Sequence, residues 1–201
     1  MLRYKNLSSG STGNATLVEA TCGQQVSRLL IDCGLSVREL NKRLAVADLS
    51  IDDLDAVFIT HEHADHVGHA RALASRTGMD VWMSRGTALA CQLADWGLAE
   101  GQWHIASDSH AFAVGALELM PFTVPHDARE PLQLRCSDGD RRLGVLTDLG
   151  HGSAHVIESL QDCNALLLEC NHDPELLAQS SYPAFLKKRI SGPQGHLSNE
   201  E

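Results

Sequence analysis

Four apolar residues in a row, Ala56-Val57-Phe58-Ile59, stand directly before a cluster of polar, ligand-type side chains. The run is short, branched and aromatic and carries no charge, which reads as a strand buried on both faces. Residues 2–7, 15–20 and 28–32 also have strand character, and Cys22-Gly23-Gln24-Gln25 turns the second into the third as a hairpin. Over residues 36–47 the period changes to that of a helix, with Leu40 and Leu44 on one face and Ser36 placed as its cap. Helical patterns recur at 68–76 and 86–96, separated by a strand at 81–84. Alternating strands and helices predict an α/β architecture. Strand character returns at 102–105, 111–114 and 117–124, where Pro125 ends the run. Residues 132–136 and 142–147 form a hairpin around Ser137-Asp138-Gly139-Asp140. A helix is expected over 154–160, a buried strand over 165–168, and a further helix opened by Asp173-Pro174.

The polar cluster is Thr60-His61-Glu62-His63-Ala64-Asp65-His66-Val67-Gly68. It sits on the loop leaving the apolar strand. Neutral imidazole is the commonest protein ligand for zinc and similar ions, and carboxylate oxygen is the usual supplement. Alternate side chains of an extended segment share a face, so His61 and His63 can converge on one ion. Asp65 and His66 lie where the chain turns into the helix and can reach a second ion. The loop Ser8-Ser9-Gly10-Ser11-Thr12-Gly13-Asn14 has two readings. It is a linker between strands, or it lines the site and offers hydroxyl and backbone N–H donors to a phosphate.

Composition narrows the picture. The chain has 201 residues, 43% of them hydrophobic, enough for a sizeable core in one domain or two small ones. It has no apolar run of membrane-spanning length, and its charged start, Met1-Leu2-Arg3-Tyr4-Lys5-Asn6, is unlike a signal peptide. A cytoplasmic protein is therefore expected. Cys22, Cys33, Cys91, Cys136, Cys163 and Cys170 form no Cys-x-x-Cys pair and read as reduced cysteines, with Cys136 and Cys170 in apolar, strand-like surroundings. The net charge is −10, which opposes loose electrostatic binding of nucleic acid. Divalent ions at the site would offset part of it, and two basic patches, Arg141-Arg142 and Lys187-Lys188-Arg189, read as solvated charges or as contacts to a nucleic acid backbone.

The His-x-His-x-Asp-His segment resembles the signature of the metallo-β-lactamase fold superfamily of hydrolases. The resemblance extends through Leu30-Ile31-Asp32-Cys33-Gly34, Pro125-His126-Asp127-Ala128, Thr147-Asp148-Leu149-Gly150, Glu169-Cys170-Asn171-His172-Asp173 and Gly195-His196-Leu197-Ser198-Asn199. With the Ser-rich opening, these are similar to the WalJ/YycJ-like branch, related to ribonuclease Z and to phosphodiesterases of phosphonate metabolism. The resemblance implies a single domain over residues 1–201, a four-layer αββα sandwich without its last C-terminal elements. It implies that His61, His63 and His126 hold one divalent ion, that Asp65, His66 and His196 hold a second, and that Asp148 bridges them. Asp32 would support the metal loop from behind, and Ser8 and Ser11 would contact phosphate or the metal loop. His172 is either a residue of the loop capping the next helix or a proton donor or phosphate contact.

The expected cofactors are two divalent metal ions, zinc first and manganese or iron as alternatives. The function implied is a dinuclear metal-dependent phosphodiesterase or nuclease, an exonuclease on DNA or RNA whose nucleophile is a hydroxide shared by the two ions. Asp65 would orient it and His172 would protonate the leaving oxygen. The alternative is a hydrolase of small phosphodiesters, thioesters or lactones, which the acidity suits. A third class, a non-catalytic binding module or a di-iron redox centre, is disfavoured because all seven ligand positions are filled and the chain has no room for a flavin domain.

Overall fold

A computed structural model describes residues 1–200; Glu201, the last residue of the expected domain, lies outside the described residues. The chain opens with β1 (Leu2–Ser8), β2 (Ala15–Cys22) and β3 (Gln25–Ile31), followed by α1 (Val37–Ala45). The apolar run is β4 (Ala56–Ile59), and α2 (Ala64–Val67), α3 (Ala70–Thr77), β5 (Asp80–Ser84), α4 (Arg85–Ala90) and β6 (Trp103–Ala106) follow it. These six strands form one sheet in chain order. Its first three strands are antiparallel, and β3 to β6 run parallel because a helix crosses over between each pair.

The second sheet holds β7 (Phe112–Val114), β8 (Leu117–Thr123), β9 (Leu132–Ser137), β10 (Arg142–Leu146) and β11 (Ala165–Leu168), with β11 at one edge and β7 at the other. The helix α5 (Ala154–Ser159) precedes β11, and α6 (Pro174–Gln179) and α7 (Ala184–Ile190) follow it.

Side-chain alternation decides how these elements stack. In β4, Ala56 and Phe58 join Leu29, Ile31, Leu119, Leu134 and Val145 in a core between the two sheets. Val57 and Ile59 point the other way, into a core with Leu40 and Leu44 of α1 and Leu73 of α3. A strand sandwiched like this has no wet face, which is why β4 reads as an unbroken apolar run. On the far side of the second sheet, Val156 of α5 packs with Phe122 and Leu146. The layers are therefore helix, sheet, sheet, helix, as expected.

Four local expectations are corrected. The helix placed at 68–76 starts earlier, inside the metal motif, as α2, and restarts as α3. The helix placed at 86–96 breaks after α4, where Gln92 takes a left-handed φ of 53° and a 3-10 turn carries Leu93–Trp96. Residues 165–168 are not buried: as an edge strand β11 leaves Leu166 47% and Leu168 45% exposed. Cys170 is exposed as well, while Cys136 is buried as expected. Apolar sequence alone does not distinguish a central strand from an edge one.

The antiparallel end of the first sheet carries an ion-pair ladder. Arg3, Glu19 and Arg28 stand directly opposite one another on β1, β2 and β3. Glu19 accepts from Arg3 and, at 2.7 Å, from Arg28 Nε. Burial pushes the Glu19 carboxyl up, but the two guanidiniums outweigh it and hold it below its ordinary 4.5. A depressed carboxyl contributes stability above its unfolded value and loses it as pH falls through the folded one. Glu19→Gln is therefore expected to cost about 1–2 kcal/mol at pH 7. The difference from wild type should shrink in urea melts taken below the ordinary carboxyl range.

Candidate metal centre

The site is built where strands of both sheets end. Asp32 follows β3, His61 follows β4, His126 follows β8, Asp148 follows β10, and Glu169 follows β11. Backbone hydrogen bonds tie the loops together. Cys33 N donates to His66 O at 2.7 Å, and Asn14 N donates to Asp65 O at 2.7 Å. His69 N returns to Cys33 O at 2.9 Å, and Leu132 N on the second sheet reaches Thr60 O at 3.0 Å. Gly34 sits at the closest approach, where a Cβ would lie 1.9 Å from the Asp65 carbonyl oxygen. Glycine is required there by backbone contact.

Asp32 is fully buried and adopts a left-handed φ of 63°, an unusual conformation for a residue with a side chain. Its carboxylate accepts from the Thr60 N–H at 2.9 Å and the Thr60 hydroxyl at 2.9 Å, and from His66 Nδ1 at 2.8 Å. Since the Thr60 hydroxyl donates to Asp32, it can only accept from His61 Nδ1, 3.0 Å away. His126 Nδ1 donates to the Gly195 carbonyl at 3.0 Å. In each ring the rear nitrogen is engaged, so the other one is aimed inward with a fixed tautomer.

The inward nitrogens meet one carboxylate. Asp148 Oδ2 lies 2.7 Å from His66 Nε2, 3.3 Å from His61 Nε2 and 3.8 Å from His126 Nε2. Asp148 Oδ1 lies 3.2 Å from His196 Nδ1, which is also 2.7 Å from Glu169 Oε1. His63 Nδ1 stands 3.0 Å from His61 Nε2 and 3.4 Å from His126 Nε2. Three groups thus bring ligand atoms within 4.8 Å of one another: His61, His63 and His126; His61, His66 and Asp148; and Asp148, Glu169 and His196. Asp65 Oδ2 is 3.7 Å from His66 Nε2 and accepts from Asn14 Nδ2 at 3.3 Å.

This donor set fits divalent cations. Lone pairs of several imidazoles directed at each other and at a carboxylate repel unless positive charge lies among them. Without a cation, protons serve. Burial alone would lower both His66 and His196, yet Asp32 and Asp148 lift His66 to about 10, and Asp148 with Glu169 lift His196 to about 10. His61 goes the other way, held well below its ordinary value by burial and by neighbouring His66. Burial favours the neutral form of Asp148, but hydrogen bonds from His196 and His66 overcome that and hold it ionised far below the usual range.

Residues 27–201 match the family model of the β-lactamase superfamily domain. The chain belongs to that family. It is 35% identical over 201 residues to the exodeoxyribonuclease WalJ of Streptococcus pneumoniae serotype 2 strain D39, covering 99% of this chain and 73% of that protein. It is 33% identical over 200 residues to the exodeoxyribonuclease YycJ of Bacillus anthracis, covering 100% of this chain and 74% of that protein. Among solved structures, the metallo-β-lactamase fold protein YhfI of Bacillus subtilis superimposes with a TM-score of 0.71 at 14% identity, over 98% of this chain and 78% of that one. Membership of the β-lactamase superfamily makes the chain a metal-dependent hydrolase with the expected sandwich fold.

All seven expected ligand residues of the superfamily site lie around one centre. Asp65 stands at its margin, outside the three compact groups. Ser8 and Ser11 line an adjoining cavity of about 410 Å³ together with Asp65, Asp148, Glu169 and His196. His172 lies apart, in a neighbouring cavity of about 670 Å³ that it shares with His151 and His196, and its Nδ1 is buried without a hydrogen-bond partner. Sequence reasoning assigned no role to Glu169 or Asn14. The signal for Glu169 was present: like Asp32 and Asp148, it is a carboxylate ending an apolar strand.

Gly34→Ala is expected to cost about 1–3 kcal/mol, the range for overpacking, and to lower bound metal, because the Asp65 and His66 loop must shift. Urea unfolding together with elemental analysis checks both.

Proposed function

We propose that the protein is a metal-dependent exonuclease that hydrolyses phosphodiester bonds of DNA. The observation carrying this reading is Asp148, the carboxylate on which four histidines converge: Oδ2 is turned to His61, His66 and His126, and Oδ1 to His196. A carboxylate placed so is suited to lie between two cations. The choice of DNA follows the relatives, two proteins named exodeoxyribonucleases that match over nearly the whole chain.

In this reading His61, His63 and His126 would hold one ion, His66, Asp65 and His196 would hold the other, and Asp148 would serve both. Asp32 holds the rear nitrogen of His66, whereas Glu169 shares His196 Nδ1 with Asp148. The bound ions would supply Lewis acidity, activating a water at neutral pH and drawing charge from the phosphoryl oxygens. Imidazoles and carboxylates without a thiolate suit zinc and also accept manganese or iron.

The chain's own groups do the rest. Asp65, held by Asn14 at the margin of the centre, orients the attacking water and accepts its proton. The Ser8 and Ser11 hydroxyls donate to the phosphate from the wall of the cavity. His172, which shares the neighbouring cavity with His196, is the candidate proton donor for the leaving oxygen. The free cysteines fit a reducing, cytoplasmic compartment, and among the described residues no helix is long and apolar enough to cross a membrane.

Small phosphodiesters are the second reading, favoured by the net charge of −10. Labelled DNA, labelled RNA, bis-p-nitrophenyl phosphate and a thioester, offered side by side, separate the two. Shortening of DNA is expected, and cleavage of the small esters alone would remove the nuclease reading. Asp148→Ala should bind less metal and lose more than ~100-fold in rate, since even outer partners of a metal site cost 10–100-fold. A fully active, fully metallated Asp148→Ala protein would contradict the shared-ligand role.

A further inference from the structure

Two cavities share Asp65, Asp148 and His196; three carboxylates line each, and they differ in their basic groups. The one walled by Ser8, Ser9, Gly10 and Ser11 offers hydroxyls and amides and has no lysine or arginine in its lining. The other, about 320 Å³, is lined by His63, Asp127 and the end of α7. Asp65, Asp127 and Asp148 make its wall acidic, and Arg189 is the one arginine among the described residues that line it.

Arg189 is not free to wander. Its Nε donates to Asp127 Oδ2 at 2.5 Å. The other oxygen of Asp127 faces the ligand rings, 3.5 Å from His126 Nε2 and 3.7 Å from His63 Nε2. One carboxylate thus sets the distance between the guanidinium and the metal centre. Among the described residues the two terminal nitrogens of Arg189 take no partner, and the side chain is 56% exposed. A guanidinium anchored by Nε presents those nitrogens as a flat fork that matches two phosphate oxygens. An ion pair this exposed contributes ~1 kcal/mol or less to stability, so its position at the mouth of the site calls for another explanation. Lys187 on the same helix turn is already engaged, donating to Ala178 O at 2.6 Å.

We propose that Arg189, aimed by Asp127, grips the phosphate next to the scissile bond, so that the DNA backbone crosses the metal centre toward the end of α7. The contact rests on the nuclease reading above and refines it. It is a backbone contact and carries no sequence preference. It also answers the electrostatic difficulty of a chain with net charge −10: positive charge is needed at one spot, not over a face.

The experiment uses metal-loaded protein. Binding to a fluorescent, cleavage-resistant phosphorothioate oligonucleotide is measured by anisotropy at several salt concentrations, beside steady-state digestion of ordinary DNA. Arg189→Gln should weaken binding about 10-fold, as expected for a lost charge-assisted pair. The slope of log affinity against log salt should shrink by about 0.7, the value for one phosphate contact on a single strand. KM should rise with kcat nearly unchanged, and metal content should stay at the wild-type level. Arg189→Lys should restore the slope but only part of the affinity, because it keeps the charge and loses the fork. Unchanged binding in Arg189→Gln, or an equal loss in Lys188→Gln, would overturn the contact. Loss of metal from Arg189→Gln would overturn it too, making the pair a brace for His63 and His126. Wild-type protein that leaves DNA intact would sink the nuclease reading as a whole, whereas wild-type digestion that Arg189→Gln matches sinks the contact alone.

Discussion

A carboxylate removed from water must meet positive charge, and that requirement governs this molecule. Asp32 and Asp148 are buried side by side around His66, and the Glu169 side chain closes the far end around His196. Each needs a proton on an imidazole or a cation in its place. Alternating acid and imidazole groups only work if every ring faces the right way, which the rear contacts to Thr60, Asp32 and the Gly195 carbonyl ensure. The left-handed backbone at Asp32 is the conformational cost of turning a carboxylate back under the loop. The close packing of Gly34 on Asp65 prevents that loop from drifting.

The scaffold follows from the same need. Loops of both sheets supply the charged groups, so the sheets must hold a constant separation. The core of Phe58, Leu29, Leu119 and Leu134 between them provides it. The parallel strands β3 and β4 end side by side, which sets Asp32 beside Thr60. Charge is also distributed unevenly around the centre. Carboxylates line both flanks; one adds the Ser8 and Ser11 hydroxyls and the other adds Arg189. An acidic protein can handle a polyanion if its favourable contacts are few and close to the chemistry.

Much of this was readable in the sequence, for identifiable reasons. β4 announced itself because both of its faces are covered, and α1 because Leu40 and Leu44 recur on one face below a serine cap. The His61–His66 cluster was readable because ligand residues have few other reasons to crowd. What escaped was information carried by neighbours in space. Exposure of Leu166 and Leu168 depends on β11 being an edge, which no local pattern encodes. The helix begins within the motif at Ala64 because the loop hydrogen bonds of Asn14 and Cys33 pin its first turn. Asn14 bonds His66 Nε2 at 3.0 Å across a long stretch of chain, so it looked like one more polar residue of a loop. Glu169 takes its role from His196, 27 residues further along, and only the fold brings the two together.

The way the segment around His196 is stitched in has a bearing on folding. The Gly195 carbonyl orients His126, and the backbone around Leu197 and Asn199 pairs with Asn171 and His172. His61 and His63 precede His196 by a long stretch of chain, so they are synthesised well before it. Until the segment around His196 docks, His126 lacks the Gly195 carbonyl and Asp148 lacks its His196 partner. An ion that prefers the closed form would add its binding free energy to the stability of the folded protein.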